Sequence, residues 1–442
     1  MAPMSDSSVS GSSVFRTAKL AGVPLGAGAR SLRRRGRETN LVDTTRQLTA
    51  VLGELKGGAM KVGQALSIFS PVLPEELAEI VGPTLSSLQA EAPPLPTGSV
   101  HKVLQRQLGA DWHKHFREFS DEPVAAASIG QVHRATWSNG DEVAVKIQYP
   151  GADKAIRSDL RQLRFLTPVL QRMAPGVNMS GLMKAIADSV LEELDYRSEA
   201  AHQRAFHAAY ADGREPLIYV PQVYACAPQV LVGEWVDGER LTSVIQSGDL
   251  QRRSRAAEAL TVFEFSSPQL VRRMHTDPHP GNFLLRADGT LAVIDFGACQ
   301  QLPDGLPRPL IELVTATVDG RRDDLVNLAR QYGYLDTTKV GEVSSEDVAA
   351  FLAPFAEPLE HDDFVFTVEW LRRVMHPFMD PTSAESKLSR KFGMPPEYSM
   401  IHRVLAGAVA VLSQLEAPAP YRQVIARHYP EMLGSQDGWG GQ

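Results

Sequence analysis

The stretch "MHTDPHPGNFLLRADGTLAVIDFGA", Met274 to Ala298, decides how the rest of the chain is read. Asp277 precedes Asn282 by five residues, and Asp295 opens an Asp-Phe-Gly thirteen residues after that asparagine. Between them "NFLL" and "LAVI" flank an Asp-Gly turn, the pattern of two short paired strands. Phosphoryl transfer calls for such a set, because its transition state asks the protein for little bond-making and much positioning of charge. In that reading Asp277 orients the attacking group, while the Asn282 amide and the Asp295 carboxylate hold Mg²⁺ on the phosphates of ATP or ADP. Alone, "DPHPGN" is a turn and "DFG" a strand end; their order, their spacing and the hairpin between them carry the assignment. His275 is expected to pack beside this loop and His279 to shape its turn.

A phosphoryl-transfer site of the kinase type also needs a strand lysine earlier in the chain, and "VAVK" supplies Lys146. Strand alternation sends Val143, Val145 and Ile147 to one face and Ala144, Lys146 and Gln148 to the other, so the lysine can reach a nucleotide while the valines fill a core. "VHRATW" and "DEVAVKIQYPG", separated by "SNG", predict a hairpin, and "PLIYVPQVY" and "QVLVGEWV" predict further strands. A helix is expected over about residues 180–210. On that helix Glu192, Asp195 and Glu199 share a face, with Glu193 about 120° away, and Glu199 is the expected ion-pair partner of Lys146. Where a protein kinase has Gly-x-Gly-x-x-Gly, this chain reads Ala125, Ala126, Ala127, Ser128, Ile129, Gly130, Gln131 and Val132. Alanines stiffen a phosphate loop and forbid most positive-φ geometries, so the grip on nucleotide must differ. An Ala-Pro-Glu element after the Asp-Phe-Gly is also absent, which puts the usual peptide-docking surface in doubt.

The whole composition fits a soluble globular protein of two or three domains: 442 residues, 43% hydrophobic and 22% charged. A net charge of -7 argues against a dedicated nucleic-acid binder. Two cysteines, Cys226 and Cys299, make neither a disulfide framework nor a metal site, which points to a reducing compartment. The longest apolar run, from Val404, is shorter than the ~20 residues that span a bilayer. Met1 to Arg37 holds seven Lys or Arg against the single acid Asp6, a pattern suited to a flexible arm, an organelle transit peptide or a contact with anionic lipid. Beyond it, Leu48, Val51, Leu52, Leu55, Ala59, Val62 and Leu66 form a helical stripe. Opposite that stripe lie Gly53, Gly57, Lys61, Gln64 and Ile68, a small and polar face. Glycine inside a helix costs about 1 kcal/mol relative to alanine, so Gly53, Gly57, Gly58 and Gly63 together forgo about 4 kcal/mol. Close approach to another surface gives a reason for that loss.

These pieces together resemble one family, the UbiB (AarF-domain, coenzyme Q-related) atypical kinases. The matching stretches are "KVGQ" at Lys61 to Gln64, "AAASIGQVHRA", "VAVKIQYPG", "ELDYRSEA", "DPHPGN" and "DFGA", with "PPEYSMIHRVLAGAV" similar to the family's C-terminal lobe. The resemblance implies an α+β, protein-kinase-like two-lobe fold with an N-terminal helical extension that folds across the active site. It implies that the acidic Glu-x-Asp motif, Glu193 and Asp195 here, meets Lys61, leaving Glu199 to Lys146. Lys61 and Gln64 would then form a lid that favours ATP hydrolysis or a small or lipid-like acceptor, such as a quinone-like molecule, over phosphorylation of other proteins. The family's association with isoprenoid quinone biosynthesis and membrane-lipid homeostasis carries over as an implication only.

The expected organisation is a flexible basic arm over 1–45, a helical Lys-x-Gly-Gln extension over 46–98, an N-lobe with an inserted helix over 99–240 and a mostly helical C-lobe over 241–442. The expected location is the cytoplasm, with peripheral membrane contact through the basic arm and organelle targeting both open. Two other readings stand beside this one. A small-molecule kinase of the aminoglycoside or choline type explains Asp277 and Asn282 but not the Lys-x-Gly-Gln helix, and a nucleotide-sensing pseudokinase scaffold explains the same residues without turnover.

Overall fold

The computed structural model of the chain describes residues 94–434, except residue 128, most of 164–193, residue 248, residues 336–342, residue 363 and most of 380–394. All of these lie in one compact unit, Leu48–Gln442. Lys61, Gln64, Ser128, Glu192 and Glu193 fall outside the described residues, as do the basic arm and the glycine-lined helix.

The N-terminal lobe is an antiparallel sheet of five strands in the order β1-β2-β3-β6-β5. These are β1 (Phe116–Ala127), β2 (Gly130–Trp137), β3 (Glu142–Gln148), β5 (Val223–Ala227) and β6 (Val230–Glu234). Period-two alternation works here as the sequence predicts: Val143, Val145 and Ile147 of β3 are fully buried. They pack against Val100, Val103 and Leu104 of α1 (Thr97–Leu108), which covers that face of the sheet. The opposite face of β3 carries Lys146 and Gln148, which meet Glu199, Asp295 and the Leu194 carbonyl. The β2–β3 hairpin around "SNG" forms with Arg134 opposite Ala144 and Val132 opposite Lys146.

Two expectations give way to tertiary structure. "PLIYVPQVY" is not one strand: β4 (Ile218–Tyr219) joins a different sheet from β5, and Pro221 lies between them. Proline has no N–H for a ladder, so the chain changes sheets there. The expected helix over 180–210 is also broken. After α2 (Ala152–Leu163) the next fully described helix, α3 (Tyr196–Tyr210), begins anew behind an extended Asp195, φ -122° and ψ 102°, whose carboxylate accepts from the Arg197 N–H. A short acidic side chain that caps a helix from outside competes with helix propagation through it. The wheel that related Glu192 and Glu193 to Glu199 therefore does not apply across residue 195.

The C-terminal lobe centres on α5 (Leu250–Leu270), capped by Asp249, which accepts from the N–H groups of Gln251 and Arg252. A second sheet, β4-β10-β9-β7, lies beside it, with β7 (Glu239–Arg240), β9 (Phe283–Leu285) and β10 (Leu291–Val293). β9 and β10 are the hairpin read around the Asp-Gly turn. β8 (Arg273–His275) and β11 (Cys299–Gln301) pair antiparallel and bracket the segment from Thr276 to Ala298. The remaining helices are α4 (Leu241–Ser247), α6 (Arg308–Val318), α7 (Arg322–Gln331), α8 (Ser345–Glu360), α9 (Val368–Met379), α10 (Ser399–Leu415) and α11 (Tyr421–His428). Phe206 of α3, Phe263 of α5, Phe283 and Phe296 are all fully buried in the core of this lobe. Through Phe206 and Glu199, α3 serves both lobes, and that fixes the cleft between them.

Candidate nucleotide site

The cleft is organised around one ammonium group. Lys146 Nζ donates to Glu199 Oε1 at 2.8 Å and to Asp295 Oδ2 at 2.9 Å, joining positions 149 residues apart. The Glu199 side chain is 2% exposed, and those of Lys146 and Asp295 are 15% and 21% exposed. Burial disfavours the ammonium, but the Asp295 and Glu199 carboxylates outweigh it and hold Lys146 well above the ordinary lysine range. The lysine is therefore charged at any physiological pH. The ring of Tyr196 lies 5.3 Å beneath the same nitrogen and adds a cation–π contact.

Asp295 is fixed from its other side as well, since its Oδ1 accepts from the Gly297 N–H at 2.9 Å. Its carbonyl accepts from His275 Nε2 at 2.7 Å, which makes Nε2 the protonated nitrogen of that ring. His275 is 1% exposed and packs against Phe263, Phe283 and Phe296. His279 Nδ1 accepts from the Gly281 N–H and so shapes the turn.

Asn282 donates from Nδ2 to both the carbonyl and the Oδ2 of Asp277, each at 3.0 Å. Its own carbonyl accepts from the Ile294 N–H at 3.0 Å. The β9–β10 hairpin thus sets Asn282 beside the residue that precedes Asp295, and Asp277 beside Asn282. Lys146, Glu199 and Asp295 form one bonded set and Asp277 and Asn282 another, joined where the Asn282 carbonyl accepts from the Ile294 N–H next to Asp295.

Asn282 and Asp295 offer an amide oxygen and a carboxylate, the hard oxygen donors that Mg²⁺ prefers. No group of three or more His, Cys, Asp or Glu with metal-holding geometry occurs among the described residues. Two protein donors are enough where phosphate and water complete the shell, as magnesium sites on nucleotides commonly have it. The residues present fit that ion.

The alanine-rich stretch takes a different form from a glycine loop. Ala125 pairs with Val132, Ala126 with Gln131 and Ala127 with Gly130, so β1 and β2 run as a paired ladder to the very tip around Ile129. Gly130 needs to be glycine, because a Cβ there would stand 2.2 Å from the Ile147 carbonyl oxygen and 3.0 Å from the Tyr196 hydroxyl. Gln131 is 1% exposed and does not face a ligand at all: its Oε1 accepts from the Leu95 N–H at 2.7 Å, and its Nε2 meets His133 Nε2 at 2.8 Å. His133 Nδ1 in turn meets the Ser120 carbonyl at 2.7 Å. A carbonyl can only accept, so Nδ1 carries the proton, Nε2 accepts from the Gln131 amide, and the imidazole is neutral. Burial lowers the His133 pKa in keeping with this. This relay ties the tip of the hairpin to the segment that leads in from the N-terminal extension. Gln131 was expected among the ligand contacts; its burial makes it a structural link instead.

Asp195, expected to meet Lys61, caps α3 and pairs with the Arg197 guanidinium at 2.7 Å, on the surface. Tyr196 and Gln148 were not anticipated. Gln148 is 2% exposed and donates to the Leu194 carbonyl at 3.1 Å, which anchors the broken start of α3 to the sheet. The alternation that pointed Lys146 inward also pointed Gln148 inward, so that signal was present in the sequence.

Comparison with known proteins agrees with this geometry. The profile of the ABC1 atypical kinase-like domain matches residues 87–329. The atypical kinase COQ8B, mitochondrial, of Rattus norvegicus is 30% identical over 398 residues, covering 88% of this chain and 72% of that protein. An uncharacterised Synechocystis protein, sll0005, is 33% identical over 301 residues, covering 66% of this chain and 42% of that protein. The chain therefore spans less than half the length of the Synechocystis relative. The solved structure of Rv3197 from Mycobacterium tuberculosis, in complex with erythromycin, is 38% identical and covers 90% of this chain and 98% of that one, with a TM-score of 0.67.

Proposed function

The chain belongs to the ABC1 atypical kinase-like family, the UbiB and AarF group, and from that membership we propose that it binds Mg-ATP in the interlobe cleft and acts as an ATPase or as a kinase on a small or lipid-like acceptor. The observation that carries this reading is the Lys146 ammonium held at 2.8 Å from Glu199 and 2.9 Å from Asp295, a cation presented to phosphate between the lobes. In the proposed mechanism Lys146 grips the nucleotide phosphates, and Asp277, oriented by Asn282, directs the attacking group. Asn282 and Asp295 would hold Mg²⁺, which would neutralise charge developing on the phosphates. Glu199 keeps Lys146 aimed, and the water-poor floor of the cleft strengthens each of these contacts.

On this proposal Lys61 and Gln64 of the extension cap the cleft and keep protein substrates out, and the physiological role lies in isoprenoid quinone biosynthesis or membrane-lipid homeostasis. No helix among the described residues is long and apolar enough to cross a membrane. The proposed membrane contact is peripheral, through the basic arm.

The test is steady-state ATP hydrolysis by the purified chain with and without anionic liposomes and quinone head-group analogues, run beside Asp295→Asn. We expect magnesium-dependent turnover that liposomes or analogues raise and that Asp295→Asn abolishes. Equal turnover in the wild type and Asp295→Asn would overturn the assignment. Because the Mycobacterium relative was solved with erythromycin, a macrolide belongs among the added ligands.

A further inference from the structure

Asp277, the residue proposed to direct the attacking group, is held within its own segment by Asn282, and contacts from outside that segment fix the residues on either side of it. Thr276 and Pro278, on either side of it, are both buried. The Thr276 N–H donates to the Ala298 carbonyl at 2.9 Å, which ties the loop to the Asp-Phe-Gly-Ala segment. The Thr276 carbonyl points the other way and accepts from Arg403 Nη2 of α10 at 3.0 Å. One turn further along the same helix, Gly407 is buried under Pro278: a Cβ at position 407 would come within 2.8 Å of Pro278 Cγ and 3.7 Å of its Cδ.

Arg403 and Gly407 are four residues apart and so lie on one face of α10, aimed at the residues before and after Asp277. Gly407 has helical backbone geometry with no positive φ, so conformational freedom does not account for a glycine there. Glycine weakens a helix interior relative to alanine, and close approach is the remaining reason for it. α10 is itself held firmly. Ile401 and Val404 pack with Met274 of β8, and His402 Nε2 lies 2.8 Å from the Tyr334 hydroxyl.

We propose that α10 clamps the catalytic loop, with Arg403 and Gly407 acting as positioning residues that set Asp277 by fixing Thr276 and Pro278. The clamp rests on the reading of the cleft as a phosphoryl-transfer site. Its action is on geometry at the reacting end of the nucleotide, where a displacement of about 1 Å can cost a hundredfold in rate. It does not touch Lys146, so affinity for nucleotide should be spared.

The test compares the full chain with Gly407→Ala, Arg403→Met, Arg403→Lys, Pro278→Ala and the double variant Gly407→Ala with Pro278→Ala. ATP turnover and ATP affinity are measured for each, together with hydrogen exchange of the peptide spanning residues 274–285. We expect Gly407→Ala and Arg403→Met to lower kcat tenfold or more, to change the ATP dissociation constant less than twofold, and to speed exchange in that peptide. Arg403→Lys, which keeps a donor, should recover part of the rate. Removing the proline ring should make the double variant faster than Gly407→Ala alone. Equal losses in kcat and affinity, or no recovery in either rescue, would mean that α10 merely stabilises the lobe. Should the wild type show no turnover, the functional reading fails, and the exchange data decide the clamp separately: faster exchange in Gly407→Ala and Arg403→Met supports it, and unchanged exchange sinks it.

Discussion

A carboxyl group that is fully enclosed without a partner must choose between charge and stability, and Glu264 is that case. It is 2% exposed in the middle of α5, and among the described residues neither of its side-chain oxygens has a hydrogen-bond partner. Burial pushes its pKa from 4.5 up to about 8. Between those two values the folded protein keeps a proton that the unfolded chain has released, so stability falls as pH rises through that window and levels off above it. The full effect amounts to about 5 kcal/mol. Glu264→Gln removes the titration. In thermal unfolding it should match or slightly lower the wild-type midpoint at pH 5 and raise it clearly at pH 8.5; a difference independent of pH would remove the argument. Residues with a motif around them were easier to read than this one. Lys146, Asp277, Asn282 and Asp295 are legible because the chemistry proposed for them demands fixed residue types at fixed spacing. Glu264 sits in a stretch with no such pattern, and Tyr196, whose ring underlies Lys146, gives no sign in sequence of which way it faces.

Among the elements, the β1–β2–β3 ladder shows how local pattern and close packing divide the work. Alternation fixed which face of β3 is buried, and three fully buried residues, Val143, Val145 and Ile147, follow from it. It could not fix how near β2 runs to β3 at its first residue. Gly130 lies so close to Ile147 that any side chain would strike backbone, which cannot swing aside as a flexible side chain does. Gly130→Ala should therefore cost about 3 kcal/mol, at the upper end of overpacking effects, and displace the hairpin tip. Urea unfolding of the variant measures this, and a change below about 0.5 kcal/mol, the range of harmless surface substitutions, would show that the ladder simply yields. The helix expected over 180–210 teaches the converse. Its polar and apolar spacing reads as continuous, but Asp195 leaves the helix and caps the next one. A capping carboxylate and a solvent-facing one look alike until the chain's path is known.

For the molecule as a whole, the proposed nucleotide site exists only while the two lobes are held together, because Lys146 comes from one and Asp295 from the other. A ligand that bridges them binds the folded chain alone. At a hundred times its dissociation constant it should add about 2.7 kcal/mol of stability. Thermal unfolding with Mg-ATP should show a raised midpoint, with no rise in Asp295→Asn or without magnesium; a rise that survives either change would place the nucleotide elsewhere. The sequence by itself determined the fold class and the family, and it singled out the Lys146, Glu199 and Asp295 that the fold joins by hydrogen bonds, because motif spacing, alternation and turn chemistry are local. Only the tertiary structure decided that Gln131 braces the hairpin from within, that α3 begins at a cap, and that α10 grips the segment around Asp277. Those depend on distances between parts of the chain far apart in number, and no local pattern encodes how closely two such parts approach.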